Sequence, residues 1–388
     1  MNVATKISID PYQDEDAIRR DFQRDLWCVM GLPFDATTEQ ATYDHLLECI
    51  EKRQKCFLTT PNLNFVVAAQ SDPDFRKTVI DSDWVIADGM PIIWAAKALG
   101  IPLTERVAGS SVFDRLRNEY RKVDRPLRVV FFGGPDGVAA EAFKKIAQDD
   151  SAMEVVGFYS PGFGTISEMS PQHVIDQINE SEPDIVLVAL GAKRGQQWID
   201  YNQQRLSAPV ISHLGAVVNF VAGTVARAPE WMQNTGLEWV WRIWEERSLF
   251  KRYLNDGQIF LRLYFRNIRP YRKHIRTSSL QACVDKVQPR IDLKRCGDNH
   301  IVELVGSFTS RSLAELRSAL TECALKPSNL KVDCSGVRSG DAAFIGLLMI
   351  ARKHLSRSGH ALELSNCSPE AEKLLRLNGL TPSLEQRK

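Results

Sequence analysis

The chain has no run of about 18 apolar residues, so no segment reads as a membrane-spanning helix. Residues Met1 to Asp21 are polar and charged, without the apolar centre of a signal peptide, and residues 1–25 are expected to form a flexible leader. A formal net charge of +1 over 388 residues excludes a wholesale nucleic-acid binder. The eight cysteines (Cys28, Cys49, Cys56, Cys283, Cys296, Cys323, Cys334, Cys367) contain no C-x-x-C pair. That reads as reduced core thiols in a cytoplasmic protein rather than a disulfide frame or zinc site, and no metal ligation is expected from them. The histidines His45, His173, His213, His274, His300, His354 and His360 show no ligand spacing either, so no metal is assigned. There is neither a G-x-G-x-x-G run nor a Walker loop, which argues against a nicotinamide enzyme and an ATPase.

What is present is an alternation of apolar runs and helix-like segments over the first two thirds, the pattern of an α/β parallel sheet covered by helices. Strands are expected at 55–59, 84–87, 127–132, 153–158 and 185–190, with helices at 38–53, 137–148 and 170–180 between them. From 236 to 276 the character changes. Aromatic residues such as Trp239, Trp241, Trp244, Tyr253 and Phe265 interleave with ten arginines and lysines against four acids, giving a basic helical appendage. Pro270 and Thr277-Ser278-Ser279 suggest a boundary, with a linker over 277–297. A smaller α/β unit then follows over 298–388, with strands near 301–306, 330–334 and 361–364 and helices near 310–323, 342–356 and 369–377. The first α/β domain is accordingly set at 26–235.

Several polar residues stand at the ends of expected strands, where open α/β sheets bind ligands. Thr60 and Asn62 offer short hydrogen-bonding side chains, although Pro61-Asn62 is also ordinary turn chemistry. Asp88 follows Trp84-Val85-Ile86-Ala87 and can remove a proton from a hydroxyl within reach; Asp-Gly is equally a common turn pair. The Arg106 guanidinium suits developing negative charge, or a surface ion pair with Glu105. Gly133-Gly134 joins a strand to a helix, the geometry in which free backbone N–H groups receive a phosphate.

Taken together, Thr60-Pro61-Asn62, Ala87-Asp88-Gly89, Glu105-Arg106-Val107-Ala108-Gly109, Gly133-Gly134-Pro135, Arg227-Ala228-Pro229 and Gly236-Leu237-Glu238-Trp239 resemble the WecG/TagA/CpsF family of glycosyltransferases over about residues 26 to 268. The resemblance implies a Rossmann-like, metal-independent, inverting enzyme without a cofactor. It implies a UDP-sugar donor and a polyprenyl-diphosphate-linked sugar acceptor of bacterial surface or exported polysaccharide. In that frame Asp88 is the catalytic base and Arg106 balances diphosphate charge. Thr60, Asn62, Gly109, Gly133, Gly134, Gln196, Arg227, Arg242 and Arg252 bind substrate. The appendage at 236–276 makes peripheral contact with the inner face of the cell membrane, and self-association through the first domain is a further implication. Asp81-Ser82-Asp83 spells the D-x-D of metal-dependent sugar transferases, but the same spacing recurs in Asp14-Glu15-Asp16 and Asp72-Pro73-Asp74 as capping chemistry.

Departures are as informative as matches. Gly191-Ala192-Lys193-Arg194-Gly195-Gln196-Gln197-Trp198 stands where the family usually reads Gly-x-Pro-x-Gln-Glu-x-Trp, so its glutamine contact is lost unless Gln196 or Gln197 substitutes. Ser110 and Asn219 replace acidic residues common in the family. These changes keep open an alternative, a weak or inactive nucleotide-sugar-binding regulator. The C-terminal unit resembles the STAS domain of anti-sigma-factor antagonists and sulfate transporters. Asp341 is followed there by Ala342 and Ala343, which offer no hydroxyl to phosphorylate. An interaction role with an unknown protein partner is the expectation for it.

Overall fold

The computed structural model describes residues 14–120, 125–134, 137–148, 152–284, 288–297 and 299–382. The chain forms two compact units, one of Val29–Arg272 and one that joins Met1–Cys28 to Lys273–Lys388. Two short strands, β1 (Leu26–Val29) and β2 (Leu32–Asp35), precede the main sheet.

That sheet has six parallel strands: β3 (Cys56–Thr59), β4 (Trp84–Val85), β5 (Leu127–Gly133), β6 (Met153–Tyr159), β7 (Ile185–Ala189) and β8 (Val210–His213), in the order β4-β3-β8-β7-β5-β6. Helices cover both faces, so the central strands read as continuous apolar runs. The period-two alternation sorts their side chains. Leu58, Val129, Phe131, Ile185 and Leu187 pack with Leu46, Ile50, Val112 and Leu116 of one helical layer. Phe57, Val130, Phe132, Val186 and Val188 pack with Ile175, Trp198 and Ile199 of the other. Trp198, wholly buried, stacks on Phe132 with ring centroids 4.0 Å apart. From β3 the chain steps outward to β4, and from β5 it steps outward to β6 on the opposite side. The carboxyl ends between these two departures carry Thr60, Asp88, Gly134 and Gly191 on neighbouring loops. Only Trp84 and Val85 of the expected strand at 84–87 join the ladder, so Asp88 sits three residues beyond it.

The appendage is helical at Glu238–Glu245, Phe250–Leu263 and Arg269–Val284, with a π-turn at Tyr264–Ile268. The last helix runs through the boundary expected at Pro270 and Thr277, and the division between the two compact units falls within it, between Arg272 and Lys273. Pro270 lies just after the π-turn, where the Arg269 N–H bonds the Tyr264 carbonyl five residues back, so its missing N–H falls at an irregularity in a continuous helical run. The Thr277 hydroxyl donates to the carbonyl of Lys273 at 2.8 Å. No described helix is long and apolar enough to cross a membrane.

In the other unit four strands run in the order β12-β11-β10-β9. β10 (Asn299–Phe308), β11 (Asn329–Gly340) and β12 (Leu362–Ser365) are parallel, and β9 (Arg290–Cys296) pairs antiparallel with β10. β9 therefore replaces the later half of the expected 277–297 linker. Asp341 caps the helix Ala342–Arg357 by accepting the N–H groups of Ala343 and Phe344.

The expected leader is also corrected from Asp14 onward; residues 1–13 lie outside the described residues. Glu15–Gln23 is a helix, N-capped by Asp14, that buries Ile18 and Phe22. It packs on the helices Ala314–Leu325 and Ala342–Arg357 of the same unit. The contact is polar at its centre: Asp21 pairs with Arg24 at 2.6 Å, with Lys353 at 3.1 Å and with the His354 ring at 2.7 Å. Gly346 permits the chain to pass close by, since a Cβ there would lie 2.2 Å from the Leu26 carbonyl oxygen.

Burial alone would raise the Asp21 carboxyl, but Lys353, Arg24 and His354 outweigh it and hold it well below the usual carboxylate range. A depressed carboxyl contributes stability that is complete above its unfolded pKa and is lost as pH falls through the folded value. Asp21→Ala leaves Lys353, only 1% exposed, without this carboxylate partner and is expected to cost about 3–5 kcal/mol in urea unfolding at neutral pH. The gap between variant and parent should close as pH falls below the ordinary carboxylate range.

Candidate active site

Two adjoining cavities, about 370 and 330 Å³, open at the carboxyl ends of the parallel strands and share a wall made by Asn62, Asn64, Asp88, Glu238, Arg242 and Arg252. The first is aromatic, lined by Trp94, Trp239, Tyr253 and Phe260 together with Met90 and Pro91. The second is polar, lined by Thr60, Ser110, Gly134, Gly191, His213 and Asn219.

Asp88 is fixed in this wall by the turns on either side. Its own N–H donates to the Pro61 carbonyl at 3.0 Å, which ties the Asp88 loop to the end of β3. Its carboxylate accepts the backbone N–H of Gly109, the first residue of the helix Gly109–Glu119, whose preceding Ala108 supplies no side-chain cap. Gly109 is required by packing: a Cβ there would lie 2.3 Å from Leu214 and 3.0 Å from Thr60. Asp88 thus serves the orphan donor at a helix N-terminus, where negative charge is favoured.

The electrostatic balance at Asp88 has named parts. Burial is the largest and raises the carboxyl; Arg106, the Gly109 N–H and Arg242 lower it, while Glu238 raises it. The outcome is a carboxyl pushed up to about 6. Arg106 donates to Glu238 at 2.6 Å, with only 14% of its side chain exposed. Burial opposes its charge, but Asp88 and Glu238 outweigh that and raise its pKa. The carboxylate of the adjacent Glu105 instead accepts the Glu39 N–H at 2.7 Å, at the start of the helix Glu39–Glu51.

The other expected site residues divide. Thr60, Asn62, Gly134, Arg242 and Arg252 line the cavities. Asn62 has a second duty, because its side-chain oxygen caps the helix Leu63–Ala69 by accepting from Asn64 and Phe65. Gly133 lines neither cavity. It is held at φ +90° against Leu190 and the Ala189 carbonyl, which sets the turn that presents Gly134. Arg227 is also elsewhere, bonded to Asp114 and to the Ser111 hydroxyl on the helix Gly109–Glu119. Gln196 is a correction of a different kind. It is wholly buried, and its amide donates to the Thr59 hydroxyl at 3.1 Å, so it braces a helix against β3 and lines neither cavity.

The departure at Gly195 has a structural counterpart. A Cβ at this position would lie 2.1 Å from Cδ2 of His213, so the imidazole occupies the space that a longer side chain at 195 would need. Burial pushes His213 down to about 4, leaving it neutral, and its Nε2 has no hydrogen-bond partner among the described residues. Sequence reasoning assigns no role to His213, Asn64 or Glu238. Glu238 stands in the quoted motif Gly236-Leu237-Glu238-Trp239, but its pairing with Arg106 spans 132 positions and needs the fold to be seen. Within Asp81-Ser82-Asp83, Asp81 pairs with Lys77 and Asp83 accepts the Phe57 N–H at 2.9 Å.

An open parallel sheet brings a carboxyl raised to about 6, two guanidinium groups and a glycine turn to one divided cleft, the arrangement of an α/β enzyme. The chain belongs to the WecG/TagA/CpsF family of glycosyl transferases, whose model matches residues 27–274, and residues 291–385 match the Mlab, STAS domain. Similar proteins include the N-acetylglucosaminyldiphosphoundecaprenol N-acetyl-beta-D-mannosaminyltransferases of Bacillus spizizenii and Bacillus subtilis. These are 27% and 28% identical over 53% of this chain and 77% and 78% of their own lengths. One of the same description from Staphylococcus aureus is 21% identical over 55% of this chain and 82% of its length.

Glu238→Gln removes the negative neighbour that raises Asp88 and frees Arg106 to act on it. The Asp88 carboxyl is therefore expected to titrate below about 6 in the variant, followed by carbon NMR of carboxyl-labelled aspartate. An unchanged or higher midpoint would contradict this electrostatic assignment.

Proposed function

We propose that this glycosyltransferase takes an N-acetylhexosamine or hexose from a UDP-sugar and transfers it, with inversion, to a polyprenyl-diphosphate-linked sugar. The observation that carries the reading is the position of Asp88 in the wall shared by a polar and an aromatic chamber. The polar chamber, with Gly134 at a strand-to-helix turn and the unpartnered His213 Nε2, suits the nucleotide-sugar. The aromatic chamber suits the acceptor sugar, whose apolar face stacks on rings such as Trp239 and Tyr253.

At the junction the acceptor hydroxyl gives its proton to the Asp88 carboxylate as its oxygen bonds to the anomeric carbon. The bond from that carbon to the nucleotide diphosphate breaks on the opposite face, and both bonding electrons leave with the diphosphate. Arg106 is engaged with Glu238 and acts through Asp88. Arg242 and Arg252 line both chambers, make no ion pair among the described residues, and are the groups placed to meet the leaving charge.

The names of the relatives support the acceptor class, since each specifies a diphosphoundecaprenol-linked sugar. The appendage supports access to a lipid-borne acceptor: Trp244, Phe250, Leu261 and Phe265 are all more than half exposed beside its arginines. The site of action would be the cytoplasmic face of a bacterial membrane, in surface or exported polysaccharide synthesis, with the STAS domain docking to a protein partner. Metal-independent turnover is part of the proposal. A second reading, binding without turnover, is favoured by the Gly195 and His213 arrangement; it requires UDP-sugar binding with no transfer to any lipid-linked acceptor.

Asp88→Asn is expected to lower kcat by about 10²–10⁴-fold in a transfer assay, while calorimetric binding of UDP persists. Because Asp88 must be ionised to accept a proton, the parent rate should rise with pH through about 6. An unchanged rate in the variant removes the base.

A further inference from the structure

Away from the cleft, the helix Glu39–Glu51 and strand β3 bring together three groups with metal-ligand chemistry. His45 and Cys49 lie four residues apart on one helical face, and Cys56 is the first residue of β3. Their ligand atoms all lie within 4.8 Å of one another. His45 Nε2 is 3.6 Å from the Cys49 sulfur and 3.8 Å from the Cys56 sulfur. Around an ion with N at about 2.0 Å and S at about 2.3 Å, the N···S separation is about 3.5 Å at a tetrahedral angle and about 3.7 Å at a trigonal one, each within about 0.1 Å of a separation found here. Both cysteines are buried, and the half-buried His45 ring is held by stacking on Trp84 at 4.0 Å.

We propose that His45, Cys49 and Cys56 form a structural zinc site. Charge selects the ion. Two thiolates neutralise a divalent cation, so the complex enters the core without net charge, whereas Cu(I) would leave one negative charge there and hard cations prefer oxygen ligands. On binding, each thiol releases a proton to solvent and forms a Zn–S bond, the neutral imidazole forms a Zn–N bond, and no electrons are exchanged. A fourth position remains for water.

The ion would tie two elements that shape the cleft. β3 leads directly into Thr60, which lines the polar chamber. The helix Glu39–Glu51 is held at its start by Glu105, the neighbour of Arg106. None of the three ligands lines either chamber, so the site stands or falls independently of the proposed reaction.

The test uses the full chain, reduced with a phosphine, stripped by a chelator and titrated with Co(II). The expected result is a thiolate-to-cobalt charge-transfer band saturating at one equivalent and displaced by Zn(II). Cys49→Ser and Cys56→Ser should abolish the band, and Cys296→Ser, at an exposed position, should keep it. His45→Gln is half-buried and serves where a cysteine variant fails to fold; it should weaken affinity at least about tenfold. In the unaltered chain, Zn(II) should slow alkylation of Cys49 and Cys56 but not of Cys296, read by peptide mass spectrometry. The proposal is overturned by the absence of a band in the parent, by full affinity in His45→Gln, or by a Cys49–Cys56 disulfide in air with no metal uptake after reduction.

Discussion

A buried carboxyl caught between a partly buried ion pair and a helix start is the constraint on which the cleft depends. Burial lifts Asp88 above an ordinary strand-end aspartate, Arg106 opposes that rise, and Glu238, paired with Arg106, adds to it. The Gly109 N–H keeps the carboxylate oriented, and that contact exists because the helix Gly109–Glu119 starts on a residue with no cap of its own. Every element around Asp88 is therefore also a structural device. Pro61 anchors its backbone, Asn62 caps the next helix, and Gly109 leaves room for Leu214 and Thr60. Arg106, held by Glu238 at 2.6 Å, tunes this carboxyl, while Arg242 and Arg252 line both chambers.

The sheet explains why such distant residues meet. In a parallel arrangement every strand ends on the same edge, so loops following β3, β4, β5, β7 and β8 converge without any of them being long. The appendage then supplies Glu238, Arg242 and Arg252 from a different part of the chain and walls the cleft from above the sheet edge. One stretch of helices thus carries both site cations and an exposed aromatic surface.

The parallel sheet is legible in the sequence because strands covered on both faces are almost wholly apolar, as at Ile185–Ala189 and Leu127–Gly133. Thr60 and Asp88 are legible as strand-end polar groups. The helix Glu15–Gln23 is not: it carries only Ile18 and Phe22 on a charged background, and the surface that buries them lies about three hundred residues later. β9 is hidden for a related reason, since its arginines and lysine are exposed and its pairing with β10 supplies the order. Gln196 reads as a substrate contact because a motif fixes position along a helix but not direction around it, and this side chain turns to Thr59. Of the cluster of His45, Cys49 and Cys56, the first two stand four apart in one helix, but the third comes from the next strand, and the sequence does not show that the connection folds it back onto them.

The fit of the His213 ring over Gly195 also couples two positions that lie apart in the chain. A side chain as long as glutamine at 195 and the imidazole at 213 claim the same space, with a Cβ already only 2.1 Å from the ring. A longer residue at 195 therefore needs the ring to move or a smaller side chain in its place, so changes at these two positions are to be made as a pair.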